Sequence, residues 1–476
     1  MTTNGMHAIV YGDGFLQVKL PERARVLQPP DPLPPLQDPA RVLREALQAP
    51  TDHEPLRKLV GPKAQVTITF DDPVMPIVPM QPQDFRELAI GILFEELEAA
   101  GVPRSRVRLV CANALHRKWT AKELTTILGP RLPYLLSPGH LSCHDAEDPE
   151  AVVHLGETER GFEVEVNRVV TDSDLLIYLS MPVTPFNGGW KSTVVGLGTW
   201  RSIRQHHRPF PFASGKSTMD HRNSSFQKLL NEMGQLVERT LAAKGREIFQ
   251  IECVLNNAEP GEPIGIFAGS VGGTHGEALT LMERQQVLPV RGQSDVLIYG
   301  VPNREHYSKL SIMNPIHVRN WGLSYSFARF RNKPLVRQGG ILILVNPCLR
   351  QFHPIHHPSY IELFEKVLPY LQDPVEIWDT YAEDYARRPE YVHKYRHAYG
   401  YHGAHPLILY GQGLYPMRHL SSVFMAGATD PEVAACLGFE PFRTVEAAIR
   451  EAEARLGSGC SITYAPRPPE YICEVT

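Results

Sequence analysis

Residues 174–208 read DLLIYLSMPVTPFNGGWKSTVVGLGTWRSIRQHHR, and they decide the fold. The apolar run Leu175–Leu179 marks a buried strand. It feeds a loop holding Pro182, Pro185, Gly188 and Gly189, and Trp190, Lys191, Ser192 and Thr193 follow directly. A second small-residue turn at Gly196 and Gly198 opens a short helix ending at His206 and His207. Glycines let backbone approach a ligand closely. A lysine just past such a loop serves as a point charge on phosphate or as an amine nucleophile. The glycine spacing is not that of a P-loop, which argues against Walker-type nucleotide binding.

Upstream, Ala64–Phe70 (AQVTITF) reads as another buried strand, running into Asp71-Asp72-Pro73. A helix is expected from about Gln83 to Ala100, then a strand at Val107–Cys111. The loop Ala112–His116 leads to a helix opened by Thr120 with Glu123 three residues later, a capping box. This strand–loop–helix alternation predicts an α/β protein with mixed, largely parallel sheets flanked by helices. Ligands in such folds bind beyond the carboxyl ends of strands. Asp71, Asp72, His116 and the Lys191 loop all fall at such ends.

Ala8–Tyr11 and Phe15–Leu20 around Gly12-Asp13-Gly14 read as a β-hairpin, and Asp38 caps a helix from Pro39 to about Leu47. Further on, Ser225–Lys244 reads as a long helix and Phe249–Leu255 as a strand. A domain change is expected near Pro289. Residues 1–288 form a cofactor-binding domain, to which 460–476 return, and 289–459 form a second α/β domain, with the ligand in the cleft between them. The region FHPIHH (His353, His356, His357) reads as a loop rather than a metal site.

A chain of 476 residues favours two domains. A net charge of −4 gives no electrostatic case for nucleic acid or anionic membrane. The seven cysteines are scattered, without a CxxC pair, so neither a disulfide framework nor a zinc knuckle is indicated. With no signal-peptide pattern and no apolar run of the ~18 residues that span a bilayer, a cytoplasmic protein is expected.

The order strand–Asp71-Asp72–proline, LHRKWTAKEL around His116, FNGGWKS around Lys191 and a histidine at His207 resembles the nickel-dependent lactate racemase family. The resemblance implies a nickel pincer nucleotide, a pyridinium mononucleotide carrying thioamide and thiocarboxylate sulfurs on nickel. It also implies that Lys191 holds this group covalently, that His207 is the protein's metal ligand, and that Asp72 contacts the nucleotide, with Asp71, Ser192 and Trp190 beside it. His116 is implied as a catalytic base. An imidazole suits nickel in a field of soft sulfur donors. A pyridinium can take a hydride from a carbinol carbon while a histidine takes the hydroxyl proton.

Three positions depart from the family pattern. Met181 stands where a second catalytic histidine is expected, Met75 where an arginine binds the substrate carboxylate, and Ser311 where a lysine does, with Lys309 displaced. Met75, Met181, Tyr307, Ser308 and Trp378 are therefore expected to line an altered substrate pocket. The implied activity is racemisation or epimerisation of a 2-hydroxy acid other than lactate. The implied partners are that substrate and the cofactor's biosynthetic proteins, with neither nucleic acid nor membrane involved. The two methionines also favour a second reading, a non-catalytic paralogue or carrier of the nucleotide. His275 and His306 are weaker candidates to replace the lost histidine.

Overall fold

The computed structural model describes residues 5–77, 79–132 and 139–476. Two main sheets organise the chain. The first runs in the spatial order Pro263–Gly269, Ile248–Leu255, Leu175–Ser180, Val66–Asp71, Val107–Ala112, Leu141–Cys143. All its pairings are parallel except that of the Pro263–Gly269 strand with its neighbour. Val66–Phe70 and Leu175–Leu179 are its two paired central strands. Both are apolar and buried along that length, as strands covered on both faces must be.

From Val66–Asp71 the chain moves outward to one side, through the helix Phe85–Ala99, to Val107–Ala112. From Leu175–Ser180 it moves to the other side, through Trp200–His207 and Ser225–Ala242, to Ile248–Leu255. Connections that leave two neighbouring strands in opposite directions open a crevice at their carboxyl ends. Asp71-Asp72 and the loop to Lys191 both emerge there.

The second sheet runs Glu440–Phe442, Ser422–Ala426, Val336–Val345, Ser294–Pro302. The far edge of Ser294–Pro302 is shared. Ile462–Tyr464 pairs along Val296–Ile298, and the hairpin Met6–Gly12/Gly14–Lys19 joins at Val301–Pro302. This corrects the expected domain limits. The hairpin is where the sequence places it, but its partner is the second sheet, and so is that of Arg25–Val26, which pairs with Ile462–Tyr464. Residues 460–476 do not return to the first sheet either. Ile472–Val475 forms a small three-stranded sheet between Val287–Val290 and Phe330–Arg331. A hairpin's turn is encoded locally, whereas its outer partner is chosen by burial hundreds of residues away.

Helix ends follow their caps. Asp38 accepts from the Arg41 amide ahead of Pro39–Gln48, and Thr120 with Glu123 forms the capping box ahead of Ala121–Leu128. The two halves meet around the His116 loop. Tyr395 Oη donates to the Ala114 carbonyl at 3.0 Å, the His402 amide donates to the Leu115 carbonyl at 3.2 Å, and Arg117 reaches the Leu310 carbonyl at 3.3 Å.

Candidate functional site

One cavity sits at this crevice and takes walls from both halves. The first half contributes Asp71, Asp72, Met75, His116, Phe186, Asn187, Lys191, Ser192 and His207, and the second contributes His306, Tyr307, Tyr325 and Gln412. The space between these walls, open solvent included, is ≈ 680 Å³.

The glycine pair shapes its floor. Gly188 and Gly189 have φ of +86° and +56°, a region L side chains rarely adopt. A Cβ at Gly189 would also lie 2.6 Å from the His275 ring. The Gly189 amide donates to Glu252 Oε1 at 2.7 Å, and Glu252 Oε2 lies 2.9 Å from His275 Nδ1. His275 thus buttresses the loop from behind and is not part of the cavity wall.

The short helix Trp190–Val194 then turns Lys191 and Ser192 to the cavity. Its Trp190 indole lies against Gly234 of Ser225–Ala242, where an added Cβ would sit 2.1 Å from the ring. Trp190 therefore anchors the helix from outside, which corrects its expected place beside the cofactor. Successive residues on a helix turn by about 100°, and here Lys191 and Ser192 fall on the cavity side while Trp190 falls against the helix Ser225–Ala242. Lys191 Nζ lies 3.5 Å from the Phe186 ring centre. Burial pulls this amine from 10.5 down to about 7, with Asp71 pulling it partly back. Ser192 Oγ is buried without a hydrogen-bond partner.

His207 lines the same cavity, and its Nδ1 lies 2.6 Å from His206 Nδ1. One nitrogen must donate and the other accept, so burial holds both rings neutral: His206 is lowered to about 3, and His207 well below its ordinary value. The Nδ1 contact leaves Nε2 of His207 as its remaining donor atom.

His116 is held from below. Its Nδ1 lies 2.9 Å from Asp72 Oδ2, and the same oxygen accepts the Trp119 indole N–H at 3.1 Å. An oxygen already accepting one N–H is the acceptor for the other, so His116 carries its proton on Nδ1 and offers a bare Nε2. The Asp71 carboxylate is engaged within the protein, accepting from Tyr178 Oη at 3.1 Å, Ser180 Oγ at 3.0 Å and the Met181 amide at 2.8 Å. It pins the two central strand ends together. Burial raises its carboxyl despite the Met181 and Ser180 bonds. Arg86, which sequence reading missed, donates to the carbonyls of Asp71 and Asp72 at 2.8 and 2.9 Å and fixes the turn.

Three expected pocket residues lie elsewhere. Met181 is fully buried, its amide is bound to Asp71, and it is absent from the cavity wall. The Ser308 hydroxyl closes the turn of Glu305 within its own segment. Trp378 lies tilted against Trp200, at 5.6 Å between ring centres, beside a separate surface groove. Met75 and Tyr307 do line the cavity. Phe186, Tyr325 and Gln412 were not anticipated. Tyr325 and Gln412 come from distant segments with no local sequence signal. His353, His356 and His357 lie in the expected loop, and no group of three or more metal-binding side chains occurs among the described residues.

A cleft at the switch point of a largely parallel sheet, lined by a lysine of lowered basicity, a neutral histidine and a histidine–aspartate pair, defines an α/β protein with one candidate site between its two halves. Residues 11–220 match the lactate racemase N-terminal domain, and the chain is similar to two curated lactate racemases. It is 25% identical to the lactate racemase of Lactiplantibacillus plantarum over 240 residues, 49% of this chain and 51% of that protein. It is 23% identical to that of Thermoanaerobacterium thermosaccharolyticum over 171 residues, 35% of this chain and 37% of the relative. These matches thus span about half or less of the curated relatives. The fold matches over nearly the whole length. The lactate racemase apoprotein from T. thermosaccharolyticum superposes with a TM-score of 0.70 at 17% identity, covering 98% of this chain and 99% of that one. A Thermotoga maritima protein does so with a TM-score of 0.57 at 15% identity, covering 94% and 100%. No helix among the described residues is long and apolar enough to cross a membrane.

Proposed function

We propose that this chain is a cytoplasmic racemase or epimerase acting on a 2-hydroxy acid other than lactate. It would hold a nickel pincer nucleotide, received from the proteins that make it, through a covalent bond to Lys191. The observation that carries the reading is the convergence of Lys191, His207 and the His116–Asp72 pair on one cavity at the switch point. The residues fit the group. An amine lowered to about 7 has a substantial unprotonated, nucleophilic fraction at neutral pH, His207 offers a neutral imidazole, and the buried Ser192 hydroxyl has no hydrogen-bond partner. When bound, the nucleotide supplies a reversible hydride acceptor. The protein's own task is to orient the carbinol, exclude water and move the hydroxyl proton, which His116 Nε2 is placed to accept.

The substrate assignment rests on the wall. Lys191, reserved for the cofactor, is the one lysine or arginine among the described lining residues, and Met75 is apolar. A small carboxylate finds no fixed cation there. An adjoining cavity shares Phe186, Tyr325 and Gln412 with the site, so a substrate longer than lactate would extend in that direction. The buried Met181, which brings no proton-moving group to the wall, favours a second reading, a carrier of the nucleotide.

Co-expression with the cofactor's biosynthetic proteins, followed by intact mass and nickel analysis, tests the first step. A Lys191 adduct with bound nickel is expected, and an unmodified lysine without nickel overturns both readings. A panel of chiral 2-hydroxy acids in deuterated solvent tests the second. Interconversion with retention of the carbon-bound hydrogen is expected of the racemase, and a loaded protein inert to the whole panel is the carrier.

A further inference from the structure

The cavity carries a second imidazole–carboxyl pair, and it comes from the other half of the molecule. His306 lines the wall beside Tyr307 and Tyr325, on the short turn His306–Ser308 beyond the strand Ser294–Pro302. Its side chain is 3% exposed, and that of Glu305 is 0% exposed. Both are therefore removed from bulk water. His306 Nδ1 lies 3.6 Å from Glu305 Oε1, and neither atom has a hydrogen-bond partner. Two buried polar atoms left facing each other are costly unless they share a proton. The contact is one small movement from closing.

The surroundings fix the pair. Glu305 Oε2 accepts the Tyr307 amide at 2.8 Å, which stops the carboxyl from rotating away. Tyr325 meets the His306 ring edge-on at 4.2 Å between centres, and Tyr307 lies tilted at 4.4 Å. With Nδ1 turned inward, Nε2 is the nitrogen left for the cavity. Burial raises Glu305 well above the usual carboxyl range and drives His306 well below the usual imidazole range, with His116 and Lys191 adding to the latter. Both shifts favour the uncharged forms. A carboxylic O–H turned toward Nδ1 would close the contact and leave His306 its own proton on Nε2. His116, backed by the Asp72 acceptor oxygen, holds the opposite tautomer.

We propose that His306, positioned by Glu305, is the second proton-transfer residue of this site, delivering a proton from the second half while His116 accepts one from the first. The proposal rests on the racemase reading. In one direction the substrate O–H breaks and its proton bonds to His116 Nε2. The carbinol hydrogen departs and returns as hydride within one turnover, so no outside oxidant enters. On return, the His306 Nε2–H bond breaks and the substrate O–H re-forms. The electron pair stays on nitrogen, and the Glu305 proton passes to Nδ1, leaving a carboxylate. The opposite enantiomer uses the same moves in reverse. Met181 thus needs no substitute at its own position, because the second base comes from the other half.

Two measurements test this. In the full, cofactor-free chain, nitrogen-15 NMR of labelled histidines, with His306 identified by its loss in His306→Gln, should show a neutral ring protonated on Nε2 at neutral pH. An imidazolium or an Nδ1–H tautomer overturns the proposal whether or not the protein turns anything over. In the loaded enzyme, His306→Gln should slow interconversion by at least about 100-fold. It should still carry out the oxidative half-reaction on one enantiomer, the one whose hydroxyl proton passes to His116. The isosteric Glu305→Gln should lower kcat with KM kept and flatten the pH profile, which a purely structural role would not do. Wild-type interconversion with His306→Gln equally active on both enantiomers refutes His306 and leaves the racemase reading standing. Absence of interconversion in loaded wild type refutes the racemase reading itself.

Discussion

Replacing Lys191 by methionine should stabilise the cofactor-free protein, with a pH dependence that identifies the cause. The amine is lowered from 10.5 to about 7 on folding, so the unfolded chain binds a proton that the folded chain releases. A basic group with a depressed folded value destabilises the fold fully below about pH 7. The penalty shrinks as pH rises and is gone above about 10.5. At 1.36 kcal/mol per unit the whole shift corresponds to about 4 kcal/mol at neutral pH. Methionine also gives up the cation–π contact with Phe186 and fits the site less well, which leaves a net gain of ~1–2 kcal/mol at pH 6 to 7. For a unit of this size that is roughly 2–8 °C in the first thermal transition. Calorimetry of wild type and Lys191→Met between pH 6 and 10 is the assay, with methionine chosen for its similar length and its tolerance of irregular packing. A gain that is largest at pH 6 and fades toward pH 10 is expected. A loss of stability at pH 7, or a gain independent of pH, would refute the claim that burial sets the lysine's basicity. Acylation of Lys191 by a small amine reagent should follow the same titration, with a midpoint near 7.

His116→Ala and Asp72→Asn should each lower turnover of the loaded enzyme by about 100-fold or more while nickel content is unchanged, as read by steady-state kinetics and metal analysis. His207→Ala should lose nickel while the mass adduct on Lys191 persists. Gly234→Ala should destabilise the protein by roughly 1–2 kcal/mol in urea unfolding, because overpacking against Trp190 outweighs the better helix propensity of alanine. The same variant should blunt Lys191 acylation, since the indole anchors the helix that presents the lysine.

The central strands were legible because burial on both faces writes a continuous apolar run, and Ala64–Phe70 and Leu175–Leu179 lie where that run places them, at Val66–Asp71 and Leu175–Ser180. Caps were legible because Asp38 and Thr120 act on amides three residues away. Strand order was not. The switch point exists only because the chain leaves two neighbouring strands in opposite directions, which no local pattern records. The same limit explains the hairpin, whose turn is local and whose partner strand is not. Within the site, the residues on the Lys191 loop and the Asp72 turn could be named, but their facing could not. Trp190 and Lys191 differ by one position, yet one packs on Gly234 and the other lines the cavity. His306 had no motif; its role emerges from a carboxyl held 3.6 Å behind it.

The hairpin at the amino end sets an order on how the molecule is made. Tyr11 pairs with Val301, so the first strand leaves the ribosome long before its neighbour exists. At ordinary elongation rates that wait is on the order of tens of seconds. Throughout it a strand edge stands open, with Ile9 and Val18, fully or almost fully buried in the finished fold, still in water. Newly made chain is then exposed to strand addition by its neighbours on the polysome. Factors that bind nascent chains, and the rate of translation through the first three hundred codons, should affect the yield of this protein more than its final stability does.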